Sequence, residues 1–356
     1  MTHPIVDLID AHWAETSNEP PRPHLGASGI GAECHRQLWY GFRWASEVRF
    51  SGRLLRLFNR GHSEEPRIVS DLTSIGLVVH ERDPQTGKQW NFSEHGRHYG
   101  GSSDGMATNV PGLPRDLPVV LEFKTSALKP FQAMQKDGVE KAQPKHYAQM
   151  QQYMAWHGFT NALYVMVCKN DDHLHVELID FDAEFAQATS DKARQIIEAI
   201  RPPARISDSP AFFSCKWCDH YATCHDLKPA VMSCRTCISA TPRTDAVGGW
   251  HCDHHDLAIP LGVQRSGCPD HRFIPDLIPF GVAPRANGRD ITYDLIGTDQ
   301  TFTNGAPGPS CYDSKELQGL TLHTVNDPGV ETLRETFNGR VTTTQSKDAW
   351  IDDIPF

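Results

Sequence analysis

The residues with most chemistry in this 356-residue chain are Asp104, in GGSSDG, and the pair Glu122 and Lys124, in VVLEFKT. In an extended strand, residues two apart share a face, so Glu122 and Lys124 point one way while Leu121 and Phe123 point into the core. Asp104, at the end of a neighbouring strand, can meet them across the pair. Two carboxylates and a backbone carbonyl are hard oxygen ligands suited to Mg2+ or Mn2+. An ammonium beside them can orient or help deprotonate a water and stabilise charge on a phosphate. The plainer reading of Glu-x-Lys is an exposed salt bridge. Three features weigh against it: both residues sit in an otherwise apolar run, GHSEEP lies upstream on a helix, and Gln149 and Tyr153 form an i,i+4 pair downstream.

These residues need elements to hold them. Residues 1–24 end in a proline-rich stretch, EPPRPH, that reads as a linker or loop. Helical patterns run from about Gln37 to Trp44 and from about Gly52 to Leu72. LVVHERD, KQWNFSE, RHYGGSSDGMATN and VVLEFKT read as a β-meander broken by turn residues. After a loop, a helix spans about Pro144 to His157, with Tyr147, Met150 and Met154 on its apolar face. The runs ALYVMVCK and HLHVELIDF are strands, and a long helix covers about Asp182 to Ile200. The sum is a mixed α/β arrangement: a mixed sheet flanked by helices.

In this order the motifs resemble the PD-(D/E)XK superfamily, specifically its RecB-like branch. The likeness rests on Gly61 to Glu65, on Asp104, on Glu-Phe-Lys at 122–124 and on Gln149 with Tyr153, and it covers about residues 25–228. It implies a nuclease fold in which Asp104, Glu122 and the Phe123 carbonyl bind metal, Lys124 is catalytic, and Gln149 and Tyr153 support substrate binding. RecB-like members usually carry a metal-binding histidine four residues after the motif glycine, where this chain has Glu65. Glutamate there is similar to the YqaJ-type viral recombinases. Glu65 is therefore the expected first ligand, with His62, on the same helical face, in reserve.

Eight of the ten cysteines fall into two spaced sets, leaving Cys168 and Cys311 over. In a reducing compartment such sets mean metal sites more often than disulfides. Cys215, Cys218 and Cys224 need a fourth ligand, for which Cys34 is the leading candidate. Four thiolates suit zinc or an iron–sulfur cluster. One cysteine before the nuclease core and three after it resembles the iron–sulfur nucleases of the RecB-like branch, which implies a 4Fe–4S cluster stapling the two ends of the domain. The second set, Cys234, Cys237, Cys252 and Cys268 with His271 as alternative, has zinc-ribbon spacing, and His254 and His255 add ambiguity.

The expected organisation is a nuclease over 1–228, a zinc-ribbon-like module over 229–275, a small β-rich unit over 276–325 and a disordered acidic tail over 326–356. The tail ends in DDIPF. Asp352, Asp353, Ile354, Pro355 and Phe356 resemble the C-terminal tip of bacterial single-stranded DNA-binding proteins, which implies docking on host replication and repair proteins. A terminal Phe ring suits an apolar pocket, and its carboxylate and the two aspartates suit a basic rim.

A net charge of −10 argues against a protein that coats DNA and less against an enzyme with one basic groove. Between Arg22 and Arg67 there are eight arginines against four glutamates, enough to build such a surface locally. No apolar run approaches the ~20 residues that span a bilayer, and no secretory signal is expected, so the expected setting is the cytoplasm of a bacterial host. The leading expectation is a phage-encoded, metal-dependent DNA exonuclease acting at DNA ends in recombination or processing. The alternative is a non-catalytic repair adaptor or inhibitor that uses the nuclease fold as scaffold.

Overall fold

The computed structural model describes residues 3–342, so the DDIPF tip lies outside the described residues. In chain order the first part holds α1 (Pro4–Thr16), β1 (Leu25–Gly26), α2 (Ala27–Ile30), α3 (His35–Arg43) and α4 (Gly52–Ser74). Next come β2 (Val78–His80), β3 (Asn91–Glu94), β4 (Tyr99–Ser102), β5 (Gly105–Thr108) and β6 (Val119–Ser126). Helices α5 (Leu128–Ala142) and α6 (Pro144–His157), strands β7 (Asn161–Cys168) and β8 (Leu174–Asp180), and α7 (Ala183–Glu198) complete it. The described residues form two compact units: residues 3–33 with 50–195, and residues 34–49 with 196–342. The division therefore falls at 33/34, 49/50 and 195/196, not at 228.

The first unit is built on a five-stranded mixed sheet of order β2-β5-β6-β7-β8. Strands β6 and β7 are its centre. Both are largely buried and pair in parallel, with Glu122 beside Tyr164 and Lys124 beside Met166. A parallel pair needs a crossover, which α5 and α6 supply. On one face Leu121, Phe123, Leu163, Val165 and Val167 pack with Ile68 and Leu72 of α4. That places Glu122 and Lys124 on the opposite face of β6. A second, three-stranded sheet, β1-β4-β3, leads into Asp104.

Local chemistry sets the helix ends. Ser51 accepts the Leu54 N–H at the start of α4, and Pro144 opens α6, where a missing N–H costs nothing. Gly158 closes α6 at φ 68°, a conformation that favours glycine. Tyr147, Met150 and Met154 are buried, as helical spacing requires. Two helices depart from the sequence expectation. Residues 4–16 form α1, for which no element was expected, and 128–142 form α5 where a loop was expected, its periodicity broken at Gly138 with φ 76°.

The second unit continues with α8 (Phe213–Lys216), α9 (Tyr221–His225), β9 (Ala240–Pro242), β10 (Trp250–Cys252), β11 (Leu257–Ile259) and α10 (Leu261–Gln264). Strands β9, β10 and β11 form a three-stranded antiparallel sheet. A four-stranded sheet follows, from β12 (Gly281–Asn287), β13 (Asp290–Leu295), β14 (Thr301–Asn304) and β15 (Cys311–Tyr312). Then come α11 (Ser314–Gly319) and α12 (Pro328–Phe337). Helix α12 overturns the expectation of disorder from 326 onward for that stretch, because Arg334 is buried and bonds both Glu316 and Glu331.

Residues 34–49 join this unit through two buried arginines. Arg43 donates to the carbonyls of Arg235, Ala240 and Ala199. Arg235 donates to the Phe42 carbonyl and Gln264, and its guanidinium lies 3.7 Å from the Trp44 ring centroid. Burial lowers the pKa of both, to about 10 and about 9, so both remain charged at neutral pH.

Candidate active site

The carboxylate–lysine site forms inside the first unit. β5 and β6 pair as far as Gly105 opposite Leu121. Beyond that point Asp104 replaces the missing strand: its Oδ2 accepts the Phe123 N–H at 2.6 Å. The N–H and C=O of one strand residue point to the same edge, so the Phe123 carbonyl faces the side from which Asp104 approaches. Glu122 is fully enclosed and Lys124 partly open, and the Lys124 ammonium donates to Glu122 Oε1. The other Glu122 oxygen, Oε2, is buried with no hydrogen-bond partner.

Electrostatics tie Glu65 to this group. Burial, the Asp104 charge and then the Glu65 charge drive the Glu122 carboxyl up to about 8, against the pull of Lys124. Burial and Asp104 also raise Glu65. For Lys124 burial opposes the ammonium, but Glu122, Asp104 and Glu65 outweigh it and raise its pKa. Burial and the crowding of three acidic side chains around one ammonium thus favour the protonated forms of Glu65 and Glu122, and a divalent cation would favour their ionised forms. The orphaned Glu122 oxygen and the hard oxygen donors fit Mg2+ or Mn2+. His62 stands outside, exposed, with Nδ1 3.1 Å from Glu65 Oε1. Of the two candidate first ligands, Glu65 is the one that feels Asp104 and Lys124, and His62 braces it.

Gln149 and Tyr153 are buried within the unit. Gln149 Nε2 donates to the Tyr153 hydroxyl at 2.9 Å, and that hydroxyl donates to the Ser102 carbonyl at 2.6 Å. Tyr153 therefore pins the end of β4, two residues before Asp104. Gly101 makes room for it, since a Cβ there would lie 3.0 Å from the Tyr153 oxygen and 2.9 Å from Ala27 Cβ.

Two neighbours escaped the sequence reading. Tyr164 is the register partner of Glu122, and its hydroxyl lies 2.8 Å from His146 Nδ1. Burial, then Lys124, pushes His146 down to about 3, so its ring is neutral. The available signal was helical spacing: His146, Gln149 and Tyr153 follow one another at i, i+3 and i+7 on α6. The basic surface is thinner than the arginine count implied. Arg43 is buried in the second unit, Arg56 pairs with Asp10, and Arg67 with Glu64 and Asp172.

Both cysteine sets assemble within the second unit. Cys34, Cys215, Cys218 and Cys224 line one open recess of about 370 Å³ with Arg36, Tyr40 and others. Burial raises Cys215, with Cys224 and Cys34 adding, and pushes Cys218 up to about 12. Cys234, Cys237, Cys252, Cys268 and His271 line a second recess of about 230 Å³. His271 is buried; Nε2 lies 2.9 Å from the Ser233 carbonyl, and Nδ1 has no partner. In the second recess burial also raises Cys234 and Cys237, so Cys215, Cys218, Cys234 and Cys237 favour their thiol forms in the absence of a cation. Cys168 lies buried in β7, and Cys311 is half-buried on β15.

No helix of the described residues is long and apolar enough to cross a membrane. No family model matches the chain, and no curated protein matches it. Among solved structures, SSO0001 is 15% identical over 62% of this chain and 96% of its own, with a TM-score of 0.37. An alkaline exonuclease, LHK-Exo from Laribacter hongkongensis, is 16% identical over 52% of this chain and 90% of its own, with a TM-score of 0.32. Its complex with dAMP gives the same values.

Proposed function

We propose that the chain is a metal-dependent deoxyribonuclease that hydrolyses phosphodiester bonds at DNA ends, with its active site at Asp104, Glu122 and Lys124. The observation that carries this reading is Glu122: a fully buried carboxylate with one oxygen on Lys124 and the other without a partner, beside Asp104 and Glu65. An exposed surface pair would show none of this. Asp104, Glu122, Glu65 and the Phe123 carbonyl would hold Mg2+ or Mn2+, which when bound polarises the scissile phosphate and lowers the pKa of an attacking water. Lys124 holds its proton, orients the water and offers positive charge to the phosphate as charge builds there. Tyr153, through Ser102, keeps Asp104 in place. His146, neutral and bonded to Tyr164, adds no positive charge within electrostatic reach of Lys124.

The remaining parts follow from the same reading. Cys34, Cys215, Cys218 and Cys224 would bind a 4Fe–4S cluster, and the second recess would bind zinc. The DDIPF tip would carry the enzyme to host replication and repair proteins, a phage strategy. The test is digestion of linear duplex and single-stranded DNA with Mg2+ or Mn2+, by wild type and Lys124→Ala. Divalent-dependent digestion lost in Lys124→Ala is the expected result. Equal digestion by both proteins, or none by either, overturns the enzyme reading in favour of a scaffold.

A further inference from the structure

The turn between β10 and β11 carries two consecutive histidines, and both aim at one carboxylate. His254 Nε2 lies 3.8 Å from Asp270 Oδ2, and His255 Nε2 lies 3.6 Å from the same oxygen. The two imidazole centroids are 4.4 Å apart. Among the described residues this is the one trio whose ligand atoms all lie within 4.8 Å of one another.

The distances bear on whether the histidines and Asp270 are hydrogen-bonded or placed as ligands. A hydrogen bond from imidazole to carboxylate closes to ~2.7–3.2 Å, and neither contact does. Ligands around one zinc ion, with bonds of ~2.0–2.2 Å, sit roughly 3.3–3.6 Å apart in a tetrahedron. At 3.6 and 3.8 Å the two histidine–carboxylate separations lie nearer to that ligand spacing than to a hydrogen bond, and all three ligand atoms fall within 4.8 Å of one another. Neighbouring residues of an extended chain point to opposite sides; here the turn brings both rings to one side, and Asp270 comes from a separate loop beyond α10.

We propose that His254, His255 and Asp270 form a binding site for a divalent first-row transition ion, separate from the cysteine recess. Two imidazoles and one carboxylate are borderline donors suited to zinc or cobalt. All three side chains are partly exposed, at 34%, 38% and 50%, so the fourth position is open to solvent. The ion would clip the β10–β11 turn to the 265–270 loop. Cys268 Sγ lies 3.8 Å from His255 Nε2 and also lines the cysteine recess, so the two sites would be neighbours. This inference stands whether or not the chain cuts DNA.

The test is metal stoichiometry on full-length protein, stripped and then titrated with zinc alone, and separately with Co2+. Wild type should bind one more equivalent than the double variant His254→Ala, His255→Ala. The thiolate-to-cobalt charge-transfer absorption of the cysteine site should be the same in both. Equal zinc stoichiometry overturns the proposal, as does loss of the thiolate band with the histidines, which would make them ligands of the cysteine-bound ion. If the double variant does not fold by circular dichroism, Asp270→Asn carries the same comparison. It keeps the volume and the backbone carbonyl that Arg289 contacts.

Discussion

Asp104 Oδ2 accepts the backbone N–H of Phe123 at 2.6 Å, so one carboxylate is fastened to the strand that carries Glu122 and Lys124. The bond also satisfies an N–H that β5, ending its pairing at Gly105, leaves open.

Asp104 can therefore be separated into two roles. Asp104→Asn keeps an oxygen for the Phe123 N–H and should fold like wild type, yet lose divalent-dependent cleavage by ~100-fold or more, a size usual for removal of one charge-stabilising group. Asp104→Ala should lose activity and also ~1–3 kcal/mol of stability, because the N–H is left unpaired. Urea unfolding beside a cleavage assay distinguishes them. Equal activity of Asp104→Asn and wild type would remove Asp104 from the site.

Stability should depend on pH through Glu122. Its carboxyl rises from an ordinary 4.5 to about 8 in the folded, metal-free protein. The folded state then binds a proton that the unfolded state releases, so this contribution is complete below about 4.5 and is lost as pH rises through about 8. Without metal, the Tm of the wild type should fall across that window more steeply than that of Glu122→Gln. Added Mg2+ or Mn2+ should flatten the wild-type slope and leave the variant unchanged. Parallel slopes for both proteins would contradict the assignment.

Removing the Tyr153 hydroxyl should act at a distance. Tyr153→Phe leaves the Ser102 carbonyl and the Gln149 amide without their bonds. We expect a loss of ~1–3 kcal/mol and, through displacement of Asp104, a drop in cleavage rate of ~10- to ~100-fold with KM for DNA little changed. A rise in KM alone would instead make Tyr153 a DNA-binding group.

Loss of the first cysteine set should be visible. Anaerobically purified wild type should carry iron and sulfide and absorb in the visible range, and Cys34→Ser or Cys218→Ser should lower both and reduce stability. Zinc without iron in the wild type would assign that recess to zinc.

Periodicity made β6, β7 and α6 legible, because period-2 and period-3.6 patterns follow from backbone geometry alone. It also put Glu122 and Lys124 on one face. Helices α1 and α5 were hidden. α1 buries no residue and ends before a proline-rich stretch, and α5 is interrupted at Gly138, so neither offered a clean apolar stripe. Nor could local pattern say which arginines reach solvent: Arg43 looks like a surface charge until the carbonyls of residues 199, 235 and 240 close around it.

By itself the sequence determined the inventory and its order: a carboxylate–lysine strand, a Gln149–Tyr153 helix and two cysteine sets. Spacing along a chain carries that information because neighbouring residues share one element. Only the tertiary structure decided which distant groups meet. It put Glu65 within electrostatic reach of Asp104 and Lys124, left His62 exposed, brought Cys34 and Cys224 to one recess, and aimed His254 and His255 at Asp270. Those choices depend on how strands and helices pack across tens of residues, where burial and unpaired charge set the outcome and local spacing does not.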